Sequence, residues 1–385
     1  MSFLIFFSIV LLVYGLANYY IWLRFSQAFQ EQPQIRLFLR ITLLLLVVAY
    51  PLTRFISSPN PNSLIEIYHG IGALWLGAML YLVLSFAVID FFRLLLKLGS
   101  LAGIFKPVVF TFYKPALVAF IGLSTILVML LGYVNARDFQ VRHLNLPLPA
   151  GNQSEGFRMV MVSDIHMGRL IGKKRVNALV DKINQQEPDI VVLVGDMVDD
   201  EMGPVVSENI GEALANIRTL GGVYAVMGNH EYIGATEEAV AYMEGKGISF
   251  LRDTAVLLPQ GVWLVGREDR DMPRFTGNIR LPLHEVMKKV QSDHPVILLD
   301  HQPYELEEKA ENGVFLTLSG HTHHGQLWPL NYITKAIYGL SWGYRKYGKM
   351  HAYVSSGFGG WGPPARIGNR PEIVVIDLAR PKMAE

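Results

Sequence analysis

The sequence predicts a layered α/β domain over residues 137–385, preceded by about four transmembrane helices within residues 1–136. Three observations carry that expectation. Charge density changes abruptly near residue 134, short Val/Ile-rich runs recur beyond it, and Asp, Asn or His follows several of those runs. The chain has 385 residues, 51% hydrophobic and 17% charged, with a net charge of +1. At roughly 100–200 residues per domain, that length suits more than one unit. So apolar a composition excludes a disordered chain. Near-neutrality gives no global field for nucleic acid. There is no cysteine, which excludes disulfides, cysteine nucleophiles, Fe–S clusters and thiolate zinc sites but leaves the redox compartment open.

Residues 1–134 contain eight Lys/Arg and three acids (Glu31, Glu66 and Asp90), whereas the remainder contains 26 Lys/Arg and 30 Asp/Glu. A bilayer-spanning helix needs about 20 apolar residues. Four stretches qualify: Phe3–Leu23, Leu37–Ile56, Ile67–Ile89 and Pro115–Val134. Arg40 and Arg54 lie near the ends of the second, where their side chains can snorkel. The first could also be read as a signal peptide. Its apolar stretch exceeds the roughly 7–15 residues of a signal core, and no basic segment precedes it. Lys/Arg in short connections mark the cytoplasmic side. Arg24, Arg36 and Arg40 mark the first connection, and Arg93, Lys97, Lys106 and Lys114 mark the third. Arg54, Arg137 and Arg142 oppose them. The balance places both the N-terminus and everything after Val134 outside the cytoplasm, in a multi-pass protein of the cell membrane. His69 and Asp90, near the ends of the third stretch, are expected at the interface. Ionisable groups inside a membrane are otherwise functional candidates.

Beyond residue 134, short runs read as buried strands: Met159–Val162, Ile190–Val194, Val223–Met227, Val262–Val265, Val296–Leu299, Val314–Leu318, Ala352–Val354 and Ile373–Ile376. Lys174–Gln185, Ser207–Thr219 and Thr236–Lys246 read as helices between them. Such alternation predicts sheets covered by helices. Leu144–Gly156, with two Pro and two Gly, reads as a loop.

Five strand ends carry the chemistry. They run into Ser163-Asp164-Ile165-His166-Met167-Gly168, Gly195-Asp196-Met197-Val198-Asp199, Gly228-Asn229-His230-Glu231, Asp300-His301-Gln302-Pro303 and Gly320-His321-Thr322-His323. Ligands in α/β sheets bind beyond the carboxyl ends of strands, so the five can converge. Each motif alone has a plainer explanation. Asp164 could cap a helix, and a lone His301 would be a structural histidine. The ordered set of five is what points to a site. Imidazole and carboxylate without thiolate suit Mn, Fe or Zn. His321 and His323 alternate by two and can serve neighbouring ions. A carboxylate such as Asp196 can bridge two. Two ions roughly 3.5–4 Å apart would clamp the attacking and leaving oxygens of an in-line displacement.

This ordered set resembles the calcineurin-like metallophosphoesterases, over about residues 140–380. Ser163–Gly168 and His301-Gln302-Pro303 resemble the YkuE/YaeI-like branch, as do Ala352–Gly357 and Arg370-Pro371-Glu372-Ile373. The resemblance implies a two-sheet sandwich flanked by helices. It implies Asp164, His166 and His323 as ligands of one divalent ion, and Asn229, His301 and His321 as ligands of another. Asp196 is then the bridge, and His230 the group that protonates the leaving oxygen or steadies the transition state. Asp199 would orient its loop. One departure is His324, where close relatives usually carry Gly.

The implied function is a membrane-anchored, dinuclear-metal phosphodiesterase in which metal-bound hydroxide attacks phosphorus. A membrane anchor favours a phospholipid or a lipid- or envelope-linked phosphate ester. The enzymatic alternative is a UDP-diacylglucosamine-type pyrophosphatase, whose substrate is expected at the cytoplasmic face. The alternative from another class is a non-catalytic membrane protein with structural metals, which would not need His230. Arg366 and Arg370 could grip a phosphate or could be solvated surface charges. The oligomeric state is left open.

Overall fold

A computed structural model of the chain describes residues 2–56, 63–104, 114–149, 156–234, 236–290 and 293–379. They fall into two compact units. Of the described residues, those within 2–133 together with Gly362–Ala365 form one, and those within Val134–Trp361 and 366–379 form the other.

The first unit contains four long helices: α1 (Ser2–Ala28), α2 (Pro33–Phe55), α3 (Ser63–Leu101) and α4 (Lys114–Asn135). All four are long and apolar enough to cross a membrane. Pro33 opens α2, where a missing N–H costs nothing. Each helix exceeds the stretch expected from sequence, α3 most of all. Its 39 residues rise about 58 Å, roughly twice the hydrocarbon thickness. Ile21, Leu43, Trp75 and Ile121, one from each helix, belong to a single buried cluster. Trp75 Nε1 donates to Asn18 Oδ1 at 3.0 Å, so both polar groups are satisfied away from water. At Gly72 a Cβ would lie 2.4 Å from the Tyr50 backbone nitrogen, so glycine lets α2 and α3 approach closely. Asp90 pairs with Arg24 and Tyr20, and His69 Nδ1 lies 2.9 Å from Thr53 Oγ1. The expected second connection, and Lys106 in the third, lie outside the described residues.

Among the described residues, the second unit holds twelve strands. They are β1 (Gln140–Pro147), β2 (Phe157–Val162), β3 (Ile190–Val194), β4 (Val223–Val226), β5 (Ile248–Phe250), β6 (Thr254–Leu258), β7 (Val262–Gly266), β8 (Val296–Leu299), β9 (Leu316–Ser319), β10 (Gly343–Tyr347), β11 (Met350–Val354) and β12 (Glu372–Ala379). One sheet has the order β1-β12-β2-β3-β4-β5 and the other β10-β11-β9-β8-β7-β6. Within the first, β2 to β5 run parallel and β12 is antiparallel to β2. Within the second, β11, β9, β8 and β7 run parallel.

Side-chain alternation explains the layers. Met159 and Met161 of β2, with Ile190, Val192 and Val194 of β3, join the core shared with Ile297, Leu299, Leu316 and Leu318 of the second sheet. Their neighbours Val160, Val162, Val191 and Leu193 face the helix layer, against Val176, Leu179 and Ile183 of α5 (Lys173–Asn184). Both faces are buried, which is why these strands read as unbroken apolar runs. On the far side, Leu298, Ala352 and Val354 pack against Leu283, Val286 and Leu306. The remaining helices are α6 (Met202–Ser207), α7 (Asn229–Ile233), α8 (Thr236–Glu244), α9 (Met272–Thr276), α10 (Leu283–Met287), α11 (Leu306–Glu311) and α12 (Leu330–Tyr338).

Two sequence expectations need correction. Leu144–Gly156 is not a loop throughout, because β1 continues to Pro147 before residues 150–155, which lie outside the described set. At the sheet edge a proline deletes no needed ladder bond. Ser207–Thr219 is not one helix. Asn209 turns left-handed (φ 48°, ψ 50°), separating α6 from a 3₁₀ segment at Ile210–Asn216. Asparagine tolerates that conformation better than most residues. Val205 before the break and Ile210 and Leu214 after it are all buried.

Candidate metal centre

Every expected site residue lies just beyond a strand end of the second unit. After β2 the chain must turn sharply to present two side chains on one side. Asp164 (φ 53°) and His166 (φ 51°) both adopt left-handed backbone. Their backbone N–H groups donate to Gly195 O and Asp196 O, each at 3.0 Å. Asp196 itself is left-handed after β3 (φ 52°). Gly228, after β4, is required by contact: a Cβ there would lie 2.1 Å from Asp196 Oδ1. That close approach seats Asn229 and His230 against Asp196, whose Oδ1 accepts the His230 N–H at 3.0 Å.

Two donor clusters result, and each has its candidate ligand atoms within 4.8 Å of one another. One is Asp164, His166 and His323. His166 Nε2 faces His323 Nε2 at 3.1 Å, and His323 Nε2 lies 3.6 Å from Asp164 Oδ1. The other is Asp196, His301 and His321. His301 Nε2 lies 3.0 Å from Asp196 Oδ2, and its Nδ1 faces Val194 O at 2.8 Å, which orients the ring. Asp196 Oδ2 is also 3.9 Å from His166 Nε2, so this carboxylate lies between the clusters. Asn229 Oδ1 and Asp164 Oδ2 are buried without a hydrogen-bond partner among the described residues. His166, Asp199 and His230 form a third, overlapping group.

His230 stands edge-on to His166, with ring centroids 4.6 Å apart. Its Nδ1 lies 2.7 Å from Asp200 Oδ1 and 3.4 Å from Asp199 Oδ1. Asp199 Oδ1 is also 3.8 Å from His166 Nδ1, so it borders two histidines.

The side chains set contrasting charge states. Burial, with His230 nearby, pushes His166 down to about 4, and burial pushes His321 down to about 3. Both are neutral imidazoles with lone pairs to offer near pH 7. Burial also lowers His323 well below the usual range, and the Arg366 cation adds to that effect. Burial opposes the charging of His230, but Asp196 and Asp199 outweigh it and raise this group to about 9. Burial likewise disfavours the Asp196 carboxylate, yet His301 and His230 hold it well below the usual range. Burial raises Asp164 to about 6.

Several contributors lie outside the expected ligand set. Glu231 is buried and accepts four backbone N–H groups, from Asp196, Met197, Val198 and Gly228. Asp200, directly after Asp199, meets His230 although no motif marks it. Arg366 is not a solvated charge. It is 1% exposed, donates to His323 O at 3.0 Å and to Gly359 O at 2.7 Å, and faces His323 Nδ1 at 3.0 Å. Arg370 is half-exposed and pairs with Asp138 at 3.0 Å. His324 stands in left-handed backbone (φ 48°, ψ 41°), the conformation in which glycine is unstrained. Its Nδ1 lies 3.0 Å from Ser341 Oγ, and its ring packs on Trp342.

Comparison with known proteins agrees with the motif reading. An uncharacterized metallophosphoesterase of Helicobacter pylori is 32% identical over 237 residues, covering 60% of this chain and 62% of that protein. The chain therefore spans about three fifths of that relative's length. A transmembrane protein with metallophosphoesterase domain from Danio rerio is 32% identical over 261 residues, covering 64% of this chain and 59% of that protein. An uncharacterized metallophosphoesterase of Aquifex aeolicus is 32% identical over 233 residues, covering 60% of this chain and 87% of that protein. Residues 157–325, which hold all the candidate ligands, match the family described as calcineurin-like phosphoesterase. With its two-sheet sandwich and its Asp, His and Asn residues at the strand ends, the chain belongs to the calcineurin-like metallophosphoesterases.

Proposed function

We propose that this protein is a membrane-anchored phosphodiesterase that works with two divalent cations. The supporting observation is the donor set itself. Asp164 Oδ2 and Asn229 Oδ1 are buried without hydrogen-bond partners among the described residues, and two imidazole Nε2 atoms face each other at 3.1 Å. Buried polar atoms are normally satisfied, so such a cluster suits cations between the side chains. Oxygen and imidazole donors without thiolate suit Mn, Fe or Zn. Asp164, His166 and His323 would hold one ion, Asn229, His301 and His321 the other, and Asp196 would bridge them. When bound, the ions supply Lewis acidity toward phosphoryl oxygens and bring the pKa of water toward neutrality.

His230 would then give a proton to the leaving oxygen. Asp199 and Asp200 aim its ring, and Asp196 and Asp199 favour its protonated form. Residues 1–136 would form the membrane region and residues 137–385 the phosphoesterase domain. The Lys/Arg distribution supports an extracytoplasmic domain in the cell membrane. A phosphate ester in a lipid or an envelope polymer is the substrate class that suits such an anchor.

The test uses the full chain in detergent, with bis-p-nitrophenyl phosphate and added manganese. The expected result is turnover with two bound metal equivalents, both weakened in Asp196→Asn. Metal bound without turnover would return the protein to a structural role. Two equivalents retained by Asp196→Asn would remove that residue as the bridge.

A further inference from the structure

Helix α12 (Leu330–Tyr338) has no buried residue. Tyr332, Ile333 and Ile337 are each more than half exposed, and Trp328 just before the helix is 50% exposed. Ile333 and Ile337 stand one turn apart on the same face. A short amphipathic helix leaving two isoleucines, a tyrosine and a nearby tryptophan in water is poorly explained by folding alone. Its other end touches the metal centre. Tyr338 packs against His321, with ring centroids 5.8 Å apart, and against Tyr304 at 4.9 Å. The helix therefore sits at the rim of the proposed site.

The charge pattern identifies what covers that face. From Asn312 to Pro371, a span of 60 residues, the sequence has no Asp or Glu. The same span carries six cations, of which Arg366 is buried and Arg370 is paired with Asp138, while Lys335, Arg345, Lys346 and Lys349 are exposed. It belongs to a part of the chain that is net acidic. Lys335 lies on α12 itself, and Arg345, Lys346 and Lys349 follow within fifteen residues. Exposed apolar and aromatic side chains, on a stretch of sequence that carries exposed cations and no Asp or Glu, fit an anionic bilayer surface. Tryptophan and tyrosine favour the interface between hydrocarbon and water. Four helices able to cross a membrane belong to the same chain, so a bilayer is always within tethered reach.

We infer that α12 and Trp328 form an interfacial membrane-docking element, with Ile333 and Ile337 immersed in an anionic lipid surface at the rim of the metal centre. The docking stands on this face and this charge run. Only its consequence, that lipid-borne phosphate esters enter from beside α12, rests on the phosphodiesterase reading.

The chain lacks cysteine, so single cysteines introduced into it can be spin-labelled cleanly. Full-length Ile333→Cys, Ile337→Cys and Leu220→Cys are labelled and reconstituted in phosphatidylglycerol–phosphatidylethanolamine vesicles. Leu220 is 96% exposed and serves as the aqueous reference. Collisions with oxygen, which enriches in lipid, and with a nickel chelate, which stays in water, are then compared. For the two α12 labels the oxygen-to-nickel ratio is expected to exceed that of Leu220 by about tenfold, as for side chains in the acyl boundary. Adding Lys335→Glu to Ile333→Cys should lower the ratio in these vesicles. Labels on α12 as open to nickel as the Leu220 label would overturn the inference. So would immobile labels that neither reagent reaches, because protein rather than lipid would then cover the face. Each variant is compared with wild type by thermal unfolding, and the wetter of the two α12 labels decides the result. The readout does not depend on turnover, so an inactive protein with lipid-immersed labels would sink only the phosphodiesterase reading.

Discussion

The Glu231 carboxylate accepts the backbone N–H of Asp196 at 3.1 Å, and so ties the loop after β4 to the loop after β3. It also accepts from Gly228 at 2.7 Å, Met197 at 2.6 Å and Val198 at 3.0 Å. Asp196 needs a left-handed backbone to lie between the two donor clusters, and these bonds hold its peptide in place. Glu231→Ala would strand four buried N–H donors, each costing about 1–3 kcal/mol. Allowing for entry of water, the expected destabilisation is about 4 kcal/mol. Glu231→Gln keeps the shape but turns an NH₂ toward N–H donors, so about half that loss is expected. Thermal unfolding and metal content of the purified full chain are the measurements. An unchanged unfolding temperature in Glu231→Ala would show that the loop holds its shape without this carboxylate.

A second buried carboxylate makes stability depend on acid. Asp300, just before His301, meets Lys309 Nζ at 2.8 Å and Arg280 Nη2 at 2.6 Å. Burial would raise its pKa, but Lys309, Arg280 and Arg267 together hold it at about 2. A carboxyl whose folded pKa is depressed contributes stability that is complete above its unfolded value. That stability is lost as pH falls through the folded value. The domain should therefore lose roughly 2 kcal/mol from this group between about pH 4 and pH 2. Asp300→Asn leaves buried cations uncompensated, at a cost of about 3–5 kcal/mol near neutrality. It should also flatten the acid limb of the stability profile, as followed by thermal unfolding across pH. An acid limb identical in wild type and variant would assign the acid sensitivity elsewhere.

The strands and the candidate ligands stand out in the sequence for the same reason. Residues 159–162 of β2, with β3 and β8, are buried on both faces and read as unbroken Val, Ile, Leu or Met runs, and the candidate polar residues follow directly. Edge strands gave no such signal. In β1, Arg142, His143 and Asn145 interrupt the apolar residues, and in β10, Arg345 and Lys346 point to solvent. The three residues of β5 are too few to show a period. Of the supporting side chains, Glu231 sat within a recognised motif, but three of its four amide partners are set by a fold contact 33 to 35 residues away. Arg366 reaches His323 from 43 residues further along the chain, and nothing local distinguishes it from a surface arginine. Gly at the His324 position is explained only by the left-handed backbone there.

Topology is open to direct measurement. The Lys/Arg pattern of the helix connections predicts that Glu385, which lies outside the described residues, is extracytoplasmic. A C-terminal alkaline phosphatase fusion should be active. A C-terminal green fluorescent fusion exported by the general secretion route should be dark. The reverse pair of results would invert the topology and move the expected substrate to the cytoplasmic face.

The sharpest expectation concerns His230. Its backbone N–H is bonded to Asp196 Oδ1, so its position is fixed by the same carboxylate that is proposed to bridge the metals. Its Nδ1 is turned to Asp200 and Asp199, and seven other side chains supply candidate ligands without it. His230→Ala is therefore expected to keep both metals and lose turnover. A general acid or base contributes about 10²–10⁴-fold. The loss should be greatest for alkyl esters, whose poor leaving groups need the proton, and smallest for nitrophenyl esters, whose anions leave unaided. Asp200→Asn provides the companion measurement. It removes the charge 2.7 Å from Nδ1 while leaving the ring in place, so it should lower the upper pH limit of activity more than it lowers the maximal rate. Metal content and kcat for both ester types decide the matter. If His230→Ala loses metal in proportion to activity, the ring is a ligand or a prop, in keeping with its place in the third donor cluster. If the loss is equal for good and poor leaving groups, the ring steadies charge on the phosphoryl group and does not supply the proton.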